Sequence, residues 1–165
     1  SYSGSEGIRE AFAKSSDILS NFRMVEEKKI IEKLFQQINN NTGLGSYGLN
    51  EVLEMLKNNI TETIIITDDT ELYRLEIKCK RCQNTIDEII ERVKLIPRKT
   101  ELKNNSCTNC KSTESSQQDL IDYISLLASQ TGTNIEVISG KTEHGMMLAS
   151  LGKIGAILRY NPHHN

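Results

Sequence analysis

Four cysteines carry the clearest chemical signal in this chain of 165 residues. They form two Cys-x-x-Cys pairs, Cys79 with Cys82 and Cys107 with Cys110, and residues 83–106 separate the pairs. A structural zinc site takes four ligands in a tetrahedron, and two residues between cysteines let one tight turn present both sulfurs to the same ion. The spacing therefore predicts one structural Zn²⁺ ion bound by all four cysteines, with no open position for a substrate.

Two other cysteine chemistries remain open. Disulfide bonds are typical of secreted proteins, but residues 1–5 are polar and contain no apolar signal-peptide core. A thioredoxin-like redox pair normally opens a helix after a strand, and it would leave the second pair without a role. Zinc is favoured because Lys78, Lys80, Arg81 and Lys111 place positive charge beside the four thiolates. Thiol titration with and without a chelator separates a redox pair from a zinc site.

The sequence offers no recognisable catalytic constellation. It has no Gly-x-x-x-x-Gly-Lys phosphate loop, no Gly-x-Ser-x-Gly nucleophile elbow and no identifiable pair of catalytic carboxylates. The segment Gly152-Lys153-Ile154-Gly155 is rich in glycine, but its position after an expected helix indicates a turn into a strand. We therefore assign no catalytic residue, and we expect neither enzyme activity nor a small-molecule substrate.

Composition and charge argue against two classes of partner. The formal net charge of -2 is unsuited to a protein that mainly coats a phosphate backbone. No apolar run approaches the ~20 residues of a membrane-spanning helix, so a cytoplasmic protein is expected. Hydrophobic residues make up 37% of the chain and charged residues 25%, which predicts a folded core. Because the chain lacks an initiator Met, we expect it to be a fragment of a longer protein.

A long helix is expected at the start of the chain, over residues 3–38, with a bend or break near Ser20-Asn21. One face carries apolar residues at roughly helical spacing, and most of them are expected in the core: Phe12, Leu19, Phe22, Val25, Ile31, Leu34, Phe35 and Ile38. The opposite face, within residues 26–33, is charged and is expected to lie in solvent.

The remaining elements alternate between helix and strand. Before the cysteines, the pattern predicts a short helix capped by Asn50, a strand buried on both faces and an alternating strand: residues 51–57, 63–67 and 73–77. After them, it predicts helix, strand, helix and strand: residues 120–129, 135–138, 143–151 and 155–160. This order predicts an α/β fold, an α-β-α sandwich with helices on both faces of a sheet. The sandwich would comprise residues 1–77 and 117–165, and residues 78–116 would form an inserted zinc-ribbon-like Cys₄ minidomain.

Three segments together resemble the class-1 peptide chain release factors of archaea and eukaryotes. Residues 1–10, SYSGSEGIRE, resemble the junction between the middle and last domains of that family. Residues 22–29, FRMVEEKK, resemble the opening helix of the last domain, and residues 152–160, GKIGAILRY, resemble its final strand. The insertion with two Cys-x-x-Cys pairs resembles the family's small minidomain in its zinc-carrying archaeal form. The resemblance spans almost the whole chain, residues 1–160.

The resemblance implies a docking domain without catalysis. It implies a sandwich of the ribosomal-protein L30-like class, with residues 1–20 as the junction to an absent middle domain. In the full-length family, an N-terminal domain reads the stop codon, and a middle domain carries a Gly-Gly-Gln motif that triggers peptidyl-tRNA hydrolysis. This chain contains no Gly-Gly-Gln. The role left to this domain in translation termination is to bind partners.

Two protein partners and the ribosome follow from the resemblance. The expected partner in archaea is the elongation-factor-type translational GTPase that also delivers aminoacyl-tRNA, and the ribosome-recycling ATPase contacts the same factor after hydrolysis. The expected docking surface combines the helix around residues 22–35 with the final strand at 155–160. Its expected contact residues are Phe22, Arg23, Glu26, Lys29, Lys33, Arg159 and Tyr160. Arg and Tyr are enriched at interface hot spots.

Other functions remain open beside this one. Pelota, the ribosome-rescue paralogue, shares the fold and the class of partner, but the Cys₄ insertion and the strand at 154–160 favour the release factor. An RNA-binding module is a second possibility, because the fold resembles ribosomal proteins that bind kinked RNA, and the net charge of -2 weakens it. A stand-alone redox enzyme is a third.

Overall fold

Two separate β-sheets organise the protein, whose computed structural model describes residues 4–105 and 113–163. The first sheet is built from four strands: β1 Gly45–Tyr47, β2 Thr61–Thr67, β6 Asn134–Ile138 and β7 Ile154–Leu158. Their order across the sheet is β1-β7-β2-β6. β2 pairs in parallel with β6, whereas β7 pairs antiparallel with both of its neighbours. β1 and β6 therefore form the two edges, and β7 lies in the interior.

Helices cover both faces of this sheet. Side chains alternate along a strand, so Ile64 and Ile66 of β2 pack on one face while Ile65 packs on the other. α2 and α4 cover the first face, and α1 and α5 cover the second: α1 Gly4–Asn39, α2 Leu49–Lys57, α4 Leu120–Thr131 and α5 Glu143–Ala149. All residues from 63 to 67 are buried, which confirms the predicted strand. The three layers are those expected from the order of the elements.

The cysteine-bearing segment forms a second, antiparallel sheet with the strand order β4-β3-β5. Its elements are β3 Leu72–Cys79, β4 Thr85–Glu91, α3 Leu95–Asn105 and β5 Thr113–Asp119, with one 3₁₀ turn at Arg92–Lys94. Leu75 and Ile77 of β3 are buried together with Leu95 and Leu102 of α3. The second sheet therefore has an apolar core of its own, to which β3 and α3 both contribute.

The second sheet extends beyond the predicted limits of the insertion, residues 78 and 116. β3 and β5 remain paired from Cys79 opposite Thr113 to Tyr73 opposite Asp119. The strand predicted at 73–77 is present, but it belongs to this sheet and not to the central sheet of the sandwich. The alternation of apolar and polar residues predicts a strand with one covered face, and it does not say which sheet the strand joins.

α1 is much longer than the sheet that it covers. Its 36 residues extend about 54 Å, whereas the seven residues of β2 extend about 23 Å. Only the C-terminal part of α1 can therefore reach the core, and Ile31 and Leu34 are fully buried there. The expectation of a continuous core stripe is wrong for the N-terminal part, where the large apolar side chains are exposed: Phe12, Leu19, Phe22 and Val25. No helix in the described ranges, including this one, has an apolar stretch that fits a membrane span.

The ends of several elements differ from the predictions. α1 continues through Ser20-Asn21 without a break. Gly48, not Asn50, precedes α2, and no side chain caps that helix. β1 is a strand that the sequence pattern did not predict, since Gly45 and Ser46 are typical loop residues, and it pairs with β7. The turn predicted around Gly152 is confirmed, since this residue has a φ of 93° between α5 and β7.

Candidate docking flank and cysteine turn

The candidate docking surface lies where α1 runs beside the edge strand β6. Glu27 Oε1 accepts a hydrogen bond from the backbone N–H of Ser139 at 3.2 Å, and Glu27 Oε2 accepts one from Thr142 Oγ1 at 3.4 Å. Thr142 in turn caps α5 by accepting from the N–H of Gly145 at 3.1 Å. One carboxylate therefore ties α1 to the turn after β6. We call the surface formed by residues 22–33 of α1 and by β6 the α1–β6 flank.

A groove of about 680 Å³ opens along the first part of this flank. Its apolar part includes Phe22, which is 62% exposed. One cation, Arg23, lines it together with four carboxylates: Glu26, Glu27, Asp68 and Glu136. The groove is therefore an acidic channel with an exposed aromatic ring at one side.

The flank continues toward the other end of β6 through a second depression. Glu26, Lys29, Lys33 and Glu136 line it. Lys29 Nζ lies 3.5 Å from Glu26 Oε1, and Lys33 Nζ lies 3.5 Å from Glu62 Oε1. Both ion pairs are solvent-exposed, so each adds at most ~1 kcal/mol to folding stability. The five α1 residues named from the resemblance all fall on this flank.

The Arg159 side chain forms hydrogen bonds to backbone carbonyl oxygens of the domain itself. Its Nε donates to the carbonyl oxygen of Thr61 at 2.9 Å. Its Nη2 donates to the carbonyl oxygens of Thr131 at 2.8 Å and Gly132 at 3.1 Å. These two carbonyls end α4, where the helix dipole favours a positive charge. Arg159 therefore joins the end of α4 to the start of β2, while its neighbour Tyr160 remains exposed.

The final strand does not form an open surface. All five residues of β7 are buried, because β1 and β2 pair with its two edges and helices cover its faces. Gly155 permits close packing of α1, since a Cβ atom at this position would lie 2.5 Å from Leu34 Cδ2. The buried strand β7 is therefore excluded from the expected docking surface. The α1–β6 flank remains, and Arg159 and Tyr160 lie outside that flank.

β6 presents an open strand edge to solvent. The carbonyl oxygen of Ile138 accepts from the N–H of Asp68 at 2.8 Å, so this backbone group faces β2. The N–H of the next residue, Ser139, points the other way, to Glu27. Because backbone groups alternate along a strand, those of Ile135 and Val137 also point away from β2. Within the part of the chain that the structure describes, no strand pairs with this edge.

Asp69 and Arg74, which lie outside the flank, both have shifted pKa values. The pKa of Asp69 is lowered by a hydrogen bond from the Thr67 side chain and by Lys153, whose Nζ lies 3.5 Å from Asp69 Oδ2. The pKa of Arg74 is raised, chiefly by its hydrogen bonds to Asp87. The Arg74 guanidinium also lies 4.6 Å from the centroid of the Tyr123 ring. This cation–π contact joins the second sheet to α4.

The first cysteine pair lies in a tight turn at the end of β3. The N–H of Gln83 donates to the carbonyl oxygen of Cys79 at 3.2 Å, and the N–H of Cys79 donates to the carbonyl oxygen of Asn84 at 2.8 Å. Gln83 has a φ of 63°, in the left-handed region. Cys79 is only 2% exposed, whereas Cys82 is exposed. The turn thus holds one cysteine against the sheet and the other at the surface.

The second pair, Cys107 and Cys110, lies outside the described residues. Thr113, at the start of β5, is paired with Cys79. Across residues 4–105 and 113–163, no three His, Cys, Asp or Glu side chains form a group that could hold a metal ion.

Several carboxylates that shape the flank were not predicted from the sequence: Glu27, Glu62, Asp68 and Glu136. Glu27 was assigned to a solvated face because its neighbours in sequence are charged. The turn at Ser139-Gly140, directly after a strand, did signal backbone N–H groups in need of acceptors. Nothing in the sequence indicates that an acceptor comes from a residue more than a hundred positions earlier.

Known proteins share both the sequence and the fold of this chain. A family model described as eRF1 domain 3 matches residues 24–162. Peptide chain release factor subunit 1 of Methanocaldococcus jannaschii is 32% identical over 166 residues, which cover 98% of this chain and 39% of that protein. The chain thus spans about two fifths of the length of the curated relatives that it matches.

Two solved structures illustrate the likeness in fold. The C-terminal domain of a peptide chain release factor from Methanosarcina mazei has a TM-score of 0.82 at 22% identity, over 99% of this chain and 100% of that one. A chain in a model of ribosome-bound archaeal Pelota and ABCE1 has a TM-score of 0.54 at 22% identity, over 97% of this chain and 34% of that one.

Proposed function

The chain belongs to the eRF1 domain 3 family, and on this basis we propose that it is the docking domain of a class-1 peptide chain release factor in translation termination. Its first proposed partner is an elongation-factor-type translational GTPase. One observation carries the proposal: Phe22, Arg23, Glu26, Lys29 and Lys33 lie together on the α1–β6 flank.

The flank has the physical properties of a protein interface. Phe22 offers a large apolar ring that is 62% exposed, and aromatic residues carry much of the binding energy at interfaces. Charged side chains of both signs surround it, and such a rim steers association and selects partners. Tyr160 supplies a second exposed aromatic ring.

We assign the remaining steps of termination to other domains of the full-length factor. Stop-codon reading and Gly-Gly-Gln-triggered hydrolysis need residues that this chain does not contain. The isolated chain is therefore expected to release no peptide from ribosomes that are programmed with a stop codon. Stop-dependent release above the background without factor would contradict this expectation.

The ribosome and the ribosome-recycling ATPase are further proposed partners, and the cytoplasm is the proposed location. A chain of similar fold occurs in a model of ribosome-bound archaeal Pelota and ABCE1, which supports the ribosome as a site of action. Pelota is the alternative identity for the full-length protein. The release factor is favoured because the relative with 32% identity is a release factor subunit.

We further propose that the second sheet is a zinc-ribbon-like minidomain, inserted into a sandwich of the ribosomal-protein L30-like class. One Zn²⁺ ion would be bound by Cys79, Cys82, Cys107 and Cys110. The support is the spacing of the two Cys-x-x-Cys pairs in the sequence and the tight turn that the structure shows at the first pair. When bound, the ion supplies a structural crosslink, and no catalytic step is assigned to it.

Elemental analysis of protein purified without chelator tests the zinc proposal. One zinc per chain is expected, together with its loss in Cys82→Ser. Because Leu75, Ile77, Leu95 and Leu102 form an apolar cluster, metal loss should increase amide exchange at the cysteine end of β3 more than at Leu75. A zinc content near zero with four titratable thiols would overturn the proposal.

Calorimetric titration with the elongation-factor-type GTPase, with and without GTP, tests the docking proposal. Phe22→Ala and Lys29→Glu change exposed residues of the flank, so both should fold normally. Loss of an anchor residue typically costs at least ~2 kcal/mol, or about 30-fold in affinity. Lys57→Glu is the matched control because Lys57 ends α2, on the opposite face of the sheet. If the folded flank variants bind as tightly as the parent protein, the interface lies elsewhere, and the second sheet becomes the next candidate.

A further inference from the structure

The outer edge of β6 carries backbone groups that pair with no strand of the described residues. The N–H and C=O groups of Ile135 and Val137 point away from β2, as the directions of Ile138 and Ser139 establish. Within the described residues no strand covers this edge. Such unpaired groups accept an added strand through main-chain hydrogen bonds.

One end of this edge is already closed by a side chain. Glu27 Oε1 takes the outward N–H of Ser139 at 3.2 Å, so an added strand could pair with β6 only as far as Val137. Val137 is 48% exposed, and it lines the same groove as Phe22 and Arg23. The space beside the edge is therefore continuous with the groove of about 680 Å³.

The charge of the flank selects the chemistry of the added strand. Three cations stand along it: Arg23, Lys29 and Lys33. Five carboxylates face them: Glu26, Glu27, Glu62, Asp68 and Glu136. Lys29 pairs with Glu26 and Lys33 pairs with Glu62, whereas Glu136, on the edge strand itself, forms no salt bridge within the described residues. An acidic surface of this kind attracts a basic segment and repels a phosphate backbone.

We propose that an extended, basic segment of a protein partner adds to β6 as a fifth strand of the first sheet, with lysine or arginine side chains toward Glu136. This inference rests on the proposed docking function and specifies how the partner engages the flank. The added strand satisfies the backbone groups of Ile135 and Val137, and the acidic groove sets the preference for positive charge. Phe22, which lies on α1 and so on the same face of the sheet as Glu136, then contacts the aliphatic stems of those basic side chains.

The experiment uses the full chain and a synthetic peptide that alternates lysine with valine. Binding is followed by fluorescence anisotropy, and amide exchange is followed by NMR. In the complex, the amides of Ile135 and Val137 should gain protection, whereas the amide of Glu136, which already faces β2, should change little. Two control peptides separate the contribution of backbone hydrogen bonding from that of side-chain charge. One carries glutamate in place of lysine, and the other keeps lysine but has N-methyl groups on alternate residues. Both controls should bind at least about tenfold more weakly.

Two pairs of variants test the protein side. Val137→Pro removes one outward N–H, and Val137→Ala keeps it, so only the proline variant should lose about tenfold in peptide affinity. Glu136→Lys should weaken binding more than Glu136→Gln. If Val137→Pro does not fold, the proposal is still tested by the exchange data on the parent chain and by the comparison of Glu136→Lys with Glu136→Gln. Unchanged exchange at Ile135 and Val137, or equal binding of the N-methylated peptide, overturns the proposal.

The same variants distinguish this inference from the docking function. If the GTPase binds the parent chain and Val137→Pro equally, and Ile135 and Val137 gain no protection in that complex, strand addition is wrong and docking stands. If the GTPase does not bind the parent chain, the docking function fails, and the peptide data decide alone whether the edge accepts a basic strand.

Discussion

β7 and β6 are strands of equal length that pair with the two sides of β2, yet they differ in what they expose. All five residues of β7 are buried, whereas only Ile138 of β6 is buried. β1 covers the far edge of β7, and within the described residues nothing pairs with the far edge of β6. A partner can therefore reach the backbone of β6 but not that of β7. Position in the sheet, more than the composition of the strand, decides which segment is available for binding.

The largest expected difference between the two strands is in core stability. Ile157 on β7 is 3% exposed, whereas Val137 on β6 is 48% exposed. Ile157→Ala should lower the free energy of unfolding by about 2–5 kcal/mol, because it leaves a cavity between α1 and the sheet. Urea denaturation followed by circular dichroism measures the change. A cost below ~1 kcal/mol would show that Ile157 is less tightly packed than its 3% exposure indicates.

Arg159→Ala should have the next largest effect. The change removes three hydrogen bonds to the carbonyl oxygens of Thr61, Thr131 and Gly132, and we expect a loss of about 2 kcal/mol. Arg159→Lys keeps the charge near the end of α4 but cannot reproduce all three bonds, so it should fall in between. Denaturation of both variants, together with GTPase titration, separates a structural role from a binding role. If stability is unchanged and binding falls, the side chain acts mainly at the interface.

Glu27→Ala should cost about 1 kcal/mol, because it removes the acceptor for the outward N–H of Ser139. The effect should be concentrated at the end of β6, so hydrogen exchange of the Ser139 amide should accelerate more than that of the Ile65 amide. Glu26→Ala is the matched control on the neighbouring helix position. Equal exchange in the two variants would show that Glu27 does not hold this end of the edge.

Val137→Ala should change stability by no more than ~0.5 kcal/mol, since the residue lies on a half-exposed strand edge. The loss of stability in Ile157→Ala, on β7 of the same sheet, is the value to compare with it. Equal losses at the two sites would mean that the outer edge of β6 is covered in solution.

The smallest expected effect is on the pH dependence of stability near the start of β7. The folded-state pKa of Asp69 is lowered from 3.8, first by the Thr67 hydrogen bond and then by Lys153. A lowered folded pKa stabilises the protein above the unfolded value, and this contribution is lost as the pH falls through the folded pKa. Because Asp69 is largely exposed, the contribution should stay well below 1 kcal/mol. Unfolding of Asp69→Asn and parent protein from pH 6 down to pH 2 (roughly the window in which Asp titrates) should converge at the acid end, and parallel curves would contradict this.

Several helices and strands of the fold follow from local patterns in the sequence. The isoleucine run of β2 predicts a strand covered on both faces, because no polar face interrupts it, and this is confirmed. α4 is also confirmed, with Asp119 accepting from the N–H of Ile121 at its start and Gly132 in the left-handed conformation at its end. β1 was missed because a short edge strand of Gly45, Ser46 and Tyr47 has no periodicity to read, and its pairing partner comes more than a hundred residues later.

The sequence by itself determined the residue types available for function and the elements that carry them. The spacing of the cysteines predicts a Cys₄ zinc site, and the segments around residues 22–29 and 152–160 pointed to the family that the eRF1 domain 3 match confirms. These signals are local, because ligand spacing and helix or strand propensity depend on near neighbours in the chain.

Only the tertiary structure decided which of those residues share a surface. In the folded chain β7 is buried, Arg159 bonds to backbone carbonyls and Glu27 accepts from Ser139. Within the described residues, the outer edge of β6 stays unpaired. It also placed β3 in the second sheet. The physical reason is that strand order and helix placement are set by non-local packing. A periodic pattern fixes which face of an element is apolar, but not which element covers that face or pairs with its edge.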